Sequence, residues 1–231
     1  MTTGVKVEGV SKRFGAGNTL VQALHGISFF IPDGEMVVIA GPSGSGKTTL
    51  LSVVGGIERP DSGSVEIAGT ELSGLKESDL SRYRRGTLGF VFQNPSLFDE
   101  ITVWENVELP LVLNHVKSND RLRRVHGLLE RLGLRGRSEA FPSELSAGEQ
   151  QRAAIARAIV HHPALLLADE PTANLDSANA KEVVSLLIDL HMEEKVCVLL
   201  ATHDPCVMGL VSLRILLRDG SIERTEGLPA S

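Results

Sequence analysis

Residues 41–48 read Gly-Pro-Ser-Gly-Ser-Gly-Lys-Thr, a spacing suited to holding the phosphates of a nucleotide. Gly41, Gly44 and Gly46 let the backbone curl so that successive N–H groups point inward at phosphate oxygens, where side chains would obstruct. Lys47 is expected to reach the β- and γ-phosphates and Thr48 to offer its hydroxyl to Mg²⁺. The run Gly41, Pro42, Ser43, Gly44, Ser45, Gly46, Lys47, Thr48 and Thr49 is thus the candidate ATP-binding loop, and the helix starting there adds its positive dipole end.

Hydrolysis needs more than a cradle, and three later segments supply the remaining groups. Asp169 and Glu170 close the apolar run Ala164-Leu165-Leu166-Leu167-Ala168. Adjacent strand residues point opposite ways, so the two carboxylates can take separate roles, Asp169 on Mg²⁺ and Glu170 polarising the attacking water. His203 closes the next apolar run, Val196 to Ala201, where a neutral imidazole can bond both the γ-phosphate and the region of Glu170. Gln93, after Leu88-Gly89-Phe90-Val91-Phe92, could reach the metal and the water.

These groups need strands to present them. Val5 to Val10, Ile27 to Ile31, Met36 to Ala40 and Ser64 to Ile67 read as strands, separated by Gly and Pro-Asp-Gly turns. The continuous apolar runs ending at Ala168 and Ala201 suit parallel strands covered on both faces, joined by a helix from about Ser177 to Glu194 with Val183, Val184, Leu187 and Leu190 inward. Ligands of such sheets bind at the carboxyl ends of the strands, where Gly41, Gln93, Asp169 and His203 would all lie. Between Asn94 and Pro163 the pattern turns helical, with Leu122, Val125, Leu129 and Leu132 on one face. One domain over residues 1–231 with an inserted helical subdomain at 94–163 is the expected organisation. Within the insert, Ser146 and Glu149 form an S-x-x-E capping box opening a helix from Gln150 to Val160, whose N-terminus also suits a γ-phosphate.

Charge and composition exclude several classes. A net charge of −6 argues against a general nucleic-acid grip, and Arg82, Arg84, Arg85 and Arg121, Arg123, Arg124 read as solvated helix faces. Cys197 and Cys206 match no zinc or redox spacing and are expected to be reduced thiols in a cytosolic protein. The N-terminus lacks a basic flank followed by an apolar stretch, and no apolar run approaches the ~20 residues that span a bilayer.

The phosphate loop, Gln93, Leu145-Ser146-Ala147-Gly148-Glu149-Gln150, Leu165-Leu166-Leu167-Ala168-Asp169-Glu170, Asn174-Leu175-Asp176 and His203, in that order, resemble an ATP-binding-cassette ATPase over essentially the whole chain. The resemblance implies an α/β P-loop fold with a mostly parallel core sheet, an antiparallel β subdomain and a helical insert. It also implies a head-to-tail homodimer in which Ser146 and Gly148 meet the ATP held by Lys47 of the other subunit, with Asp176 at the seam. Phe14 fits the place of an aromatic that stacks on adenine. The segments 84–93 and 102–111 are similar to the lipoprotein-releasing, macrolide-exporter and cell-division cassettes of bacteria. That similarity implies a peripheral protein on the cytoplasmic face of the inner membrane, serving an integral membrane permease with an extracytoplasmic domain. Phe98, Ile101, Val103 and Trp104 would receive a helix of that partner. Two residues depart from the family pattern: Phe14 replaces the commoner tyrosine, and Ala147 replaces the first glycine of the Leu-Ser-Gly-Gly signature. A soluble ATP-driven clamp or regulator is the alternative function, although such proteins commonly carry two cassettes or long coiled-coil insertions.

Overall fold

Two sheets with a helix between them set the architecture of the computed structural model, which describes residues 4–228 apart from the side chains of Asn18, Pro205 and Cys206. The expectation for Cys206 therefore lies outside the described residues. β1 (Gly4–Phe14), β2 (Val21–Pro32), β4 (Ser62–Ile67) and β5 (Thr70–Glu71) form an antiparallel sheet in the order β2-β1-β4-β5. The six-stranded sheet runs β10-β9-β3-β8-β7-β6, from β3 (Met36–Ala40), β6 (Leu88–Val91), β7 (Leu165–Asp169), β8 (Cys197–Thr202), β9 (Leu213–Arg218) and β10 (Ser221–Glu226). All its pairings are parallel except β9 with β10.

Strand composition explains the two environments. β1 buries Val5 and Val7 and exposes Glu8, the alternation of a half-covered sheet. Every residue of β3 and β8 is buried, as a strand covered on both faces requires. Val37, Ile39, Leu199 and Ile215 pack with α1 (Lys47–Val54) and the antiparallel sheet. Val38, Ala40, Leu166 and Leu200 point the other way, onto α5 (Ala147–Ile159) and α6 (Ser177–Glu194). α6 has the expected bounds and buries Val183, Val184, Leu187 and Leu190.

A third apolar cluster joins α3 (Val103–Leu113), α4 (Ser118–Arg131) and α5. Its center includes Val103, Val107, Leu111, Val125 and Leu129, and Leu132 just past α4 joins them. Leu122 departs from its expected place and is 61% exposed. At 100° per residue it lies roughly 70° from the center of the face made by Val125, Leu128, Leu129 and Leu132. Regular spacing put it on the stripe, and its angular offset near the start of α4 put it outside the packing.

The remaining elements are α2 (Glu77–Thr87) and a short α7 (Pro205–Met208). Two arginines read as solvated are not. Arg84 donates to the Gly56 carbonyl at 2.6 Å and to Glu77 at 2.7 Å, and Arg121 donates to Glu108 at 2.7 Å and to the Val116 carbonyl at 2.9 Å. Each ties a helix to a distant turn or neighbouring helix, which one-dimensional charge patterning does not reveal. Arg82 and Arg123 do face solvent, at 72% and 77% exposure. No helix among the described residues is long and apolar enough to cross a membrane.

Candidate functional site

The phosphate loop runs from the end of β3 into α1, and its glycines answer to two different demands. Gly44 and Gly46 have φ of 78° and 102°, in the left-handed region that favours glycine. Gly41 has no such φ, but a Cβ there would lie 2.3 Å from the Leu217 carbonyl and 2.6 Å from Ser45 Oγ. The loop is thus pressed against β9, and the turn between β9 and β10 braces it further. Gly220 N–H donates to the Ser45 carbonyl at 3.0 Å, while its own carbonyl accepts from His25 N–H at 2.8 Å.

Beside the loop lies a cleft of about 620 Å³ lined by Ser43, Gly44, Gly46, Lys47, Thr48, Thr49, Gln93, Glu170 and His203, with Val21, His25 and Asp219 on its far wall. Lys47 is 7% exposed, and its Nζ donates to the carbonyls of Gly41 at 2.9 Å and Pro42 at 3.1 Å. It also stands 3.6 Å from Glu170 Oε1. The ammonium is thus buried within the loop, held by its carbonyls and facing the Glu170 carboxylate.

Asp169 ends β7, but Glu170 turns away by a different route than strand alternation. Its φ of 47° is left-handed, and its N–H donates to the Ala201 carbonyl at 2.9 Å. A non-glycine residue in that region is uncommon and costs energy, of order 1–3 kcal/mol. The turn places Glu170 Oε1 2.8 Å from His203 Nδ1. Because a carboxylate only accepts, Nδ1 donates. With Nδ1 committed to Glu170, Nε2 is the ring nitrogen left to meet a ligand in the cleft.

Asp169 Oδ1 is buried with no hydrogen-bond partner, and burial raises the carboxyl above its ordinary range, opposed by the Thr48 hydroxyl and Lys47. An unpartnered carboxylate oxygen beside a hydroxyl is the donor set a hard cation takes, so these residues fit Mg²⁺. Among the described residues no group of three or more His, Cys, Asp or Glu gathers.

Phe14 is not among the residues lining the cleft. It is 41% exposed at the end of β1, opposite Val21, with Lys12 Nζ 5.2 Å from its ring center. Ser146, Gly148 and Asp176 also lie outside the cleft of their own chain. The capping box is present, with Glu149 N–H donating to Ser146 Oγ at 3.3 Å and Ser146 N–H to Glu149 at 2.8 Å. It opens α5 at Ala147, three residues earlier than Gln150. Asp176 caps α6, accepting from Ala178 and Asn179 N–H at 2.9 Å each, and these bonds hold its carboxyl below the ordinary range.

Several side-chain contacts on the segment that follows β6 escaped sequence reasoning. Asn174 donates to the Gln93 carbonyl at 3.2 Å and to Asn94 at 3.0 Å, and buried Gln151 donates to the Phe92 carbonyl at 3.3 Å. Fully buried Asn106 accepts from Phe98 N–H and donates to the carbonyls of Phe98, Ile101 and Thr102. The only sequence signal was an amide in an apolar helix, which needs internal partners. The four residues expected to receive a partner helix do not form one surface. Phe98 is 51% exposed, whereas Val103 is fully buried and Trp104 packs against the insert's core.

A family model described as ABC transporter matches residues 24–173. The lipoprotein-releasing system ATP-binding protein LolD of Bacteroides thetaiotaomicron is 41% identical over 95% of this chain and 99% of its own length. The macrolide export ATP-binding/permease protein MacB of Rhodospirillum rubrum is 43% identical over 94% of this chain, which spans 33% of that protein. The ATP-binding cassette MJ0796, solved as a dimer in a post-hydrolysis state with ADP and Pi, superposes with a TM-score of 0.89 at 37% identity, covering 98% of this chain and 100% of that one. With the phosphate loop, Asp169, Glu170 and His203 gathered at the strand ends, the chain belongs to the ABC transporter family as an ATP-binding ATPase cassette.

Proposed function

We propose that two copies of this chain close head to tail on two ATP molecules and so drive an integral membrane permease with an extracytoplasmic domain from its cytoplasmic side. The observation that carries this reading is the division of the site. Lys47, Thr48, Glu170 and His203 converge on one cleft, while Ser146, Gly148 and Asp176 stand outside it. The first-turn amides of α5 have no intrahelical acceptors and suit a phosphate brought by a second copy. MJ0796 as a dimer, and LolD and MacB as relatives, support the same arrangement.

In the closed site Lys47 and the loop amides hold the β- and γ-phosphates, and Phe14 stacks on adenine. Glu170 accepts a hydrogen bond from the attacking water and polarises it toward the γ-phosphorus, while His203 holds Glu170 in place and Gln93 orients the water. Thr48, Asp169 and Gln93 would hold Mg²⁺, which neutralises charge developing on the phosphate oxygens. Residues 1–231 act as one cassette with 94–163 as its helical insert, which the separate apolar cluster of α3, α4 and α5 supports. Phe98 and Ile101, fastened by Asn106, form the permease contact. The protein works in the cytoplasm, peripheral to the membrane, with no nucleic-acid partner.

Glu170→Gln tests the reading. The variant should bind ATP, hydrolyse it at least about 100-fold more slowly, and elute from a sizing column as a dimer with ATP and a monomer without it. A variant that turns over at the wild-type rate, or never dimerises, contradicts it.

A further inference from the structure

Asn179 lies outside the cleft and in no assigned motif, yet it touches both helix ends proposed to face the second copy. It occupies the first turn of α6, where its Nδ2 donates to Asp176 Oδ2 at 2.6 Å. Asp176 Oδ1 is taken by the backbone N–H groups of Ala178 and Asn179. The chemistry fixes the carboxamide: a carboxylate only accepts, so the NH₂ side must face Asp176 and Oδ1 must face away. What Oδ1 faces is Gly148. A Cβ built on Gly148 would lie 2.4 Å from Asn179 Oδ1 and 2.9 Å from its Cγ.

The contact explains why Gly148 is buried while Ser146 and Ala147, just before it, are exposed. Gly148 has no left-handed φ and therefore no conformational need to be glycine. Its lack of a side chain is a packing requirement set by Asn179. One side chain thus fixes the separation between the start of α5 and the start of α6.

We infer that Asn179 is a positioning residue for ATP hydrolysis, holding the Ser146–Gly148 turn and Asp176 as one rigid face toward the triphosphate of the second copy. The inference rests on the head-to-tail reading given above. Asn179 touches no substrate in its own chain, so its loss should leave the affinity of the cleft intact and slow the step that needs both copies. Misplacing a helix end by a fraction of an ångström suffices, since a displacement of about 1 Å can cost on the order of 100-fold in rate.

The test is a double-mutant cycle on ATPase activity with Gly148→Ala, Asn179→Ala and the pair. Gly148→Ala should lower kcat roughly 100-fold because the added methyl drives the two helix ends apart. Asn179→Ala should lower kcat about tenfold with KM for ATP changed less than about twofold. The pair should regain at least about tenfold over Gly148→Ala, since the methyl then has room. Asn179→Ser, which keeps a donor for Asp176, replaces Asn179→Ala in the cycle should the alanine variant fold poorly. A pair no more active than Gly148→Ala overturns the inference, as does an Asn179 variant that raises KM at unchanged kcat. Glu170→Gln separates this failure from that of the underlying reading: if it dimerises on ATP while the pair shows no rescue, only the role of Asn179 falls.

Discussion

The cleft around Lys47 and the helix ends around Ser146, the two surfaces proposed to meet one triphosphate, are built oppositely. In and beside the cleft, local geometry is left unresolved: Glu170 sits at a left-handed φ, and nearby Asp169 Oδ1 and Ser45 Oγ are buried without partners. At the helix ends the side chains are satisfied inside the chain, Ser146 by Glu149, Glu149 also by Arg137, and Asp176 by the start of α6. The contrast teaches where a ligand is needed. The groups around Lys47 leave polar atoms unpartnered for a ligand to meet, whereas the helix ends are finished structures whose side chains are satisfied within the chain.

Substitutions on the two sides should therefore differ in kind. Gly41→Ala should have the largest effect, because its Cβ would strike the Leu217 carbonyl, a backbone atom that cannot swing aside. A loss of about 2 kcal/mol in folding stability, within the range for overpacking, should accompany weakened ATP binding. Chemical denaturation with and without nucleotide reads both effects, and an Ala variant as stable as wild type would show the loop freer than its contact with β9 implies. Phe14→Ala should cost about 1 kcal/mol of ATP affinity and leave a baseless triphosphate unaffected, if the ring stacks on adenine. Equal losses for both ligands would remove Phe14 from the site.

On the finished side the smallest change is expected. Ala147→Gly should preserve or raise ATPase activity and shift Tm by only about 1 °C, since Ala147 is exposed and the Ser146–Glu149 box does not depend on it. A large fall in activity with folding unchanged would mean that the methyl contributes to closure.

The same contrast governs what the sequence revealed. The phosphate loop, Asp169, Glu170 and His203 were legible because their spacing is local to strand ends, and α6 because an eighteen-residue helix carries a clear apolar face. Long-range fastening was not legible. Nothing near Gly220 indicates that its turn braces Ser45, nothing near Asn106 that it clamps Phe98 and Ile101, and nothing near Arg121 that it pairs with Glu108. Val103 and Leu122 show the limit from the apolar side: one hydrophobic residue expected at an interface is core, and one expected in the core is exposed. Periodicity reports a face but not what covers it.

The central claim is that one working site takes Lys47 from one copy and Ser146 with Gly148 from the other, and mixing two inactive variants tests it most directly. Lys47→Ala removes the buried ammonium, and Gly148→Asp places a carboxylate where Asn179 leaves no room. Each variant alone should be inactive. Mixed in equal amounts, half the dimers are heterodimers and each holds one intact site, so activity should return to about a quarter of wild type. No recovery, in a mixture shown to form heterodimers, would mean that each site is completed within a single chain and would contradict the account.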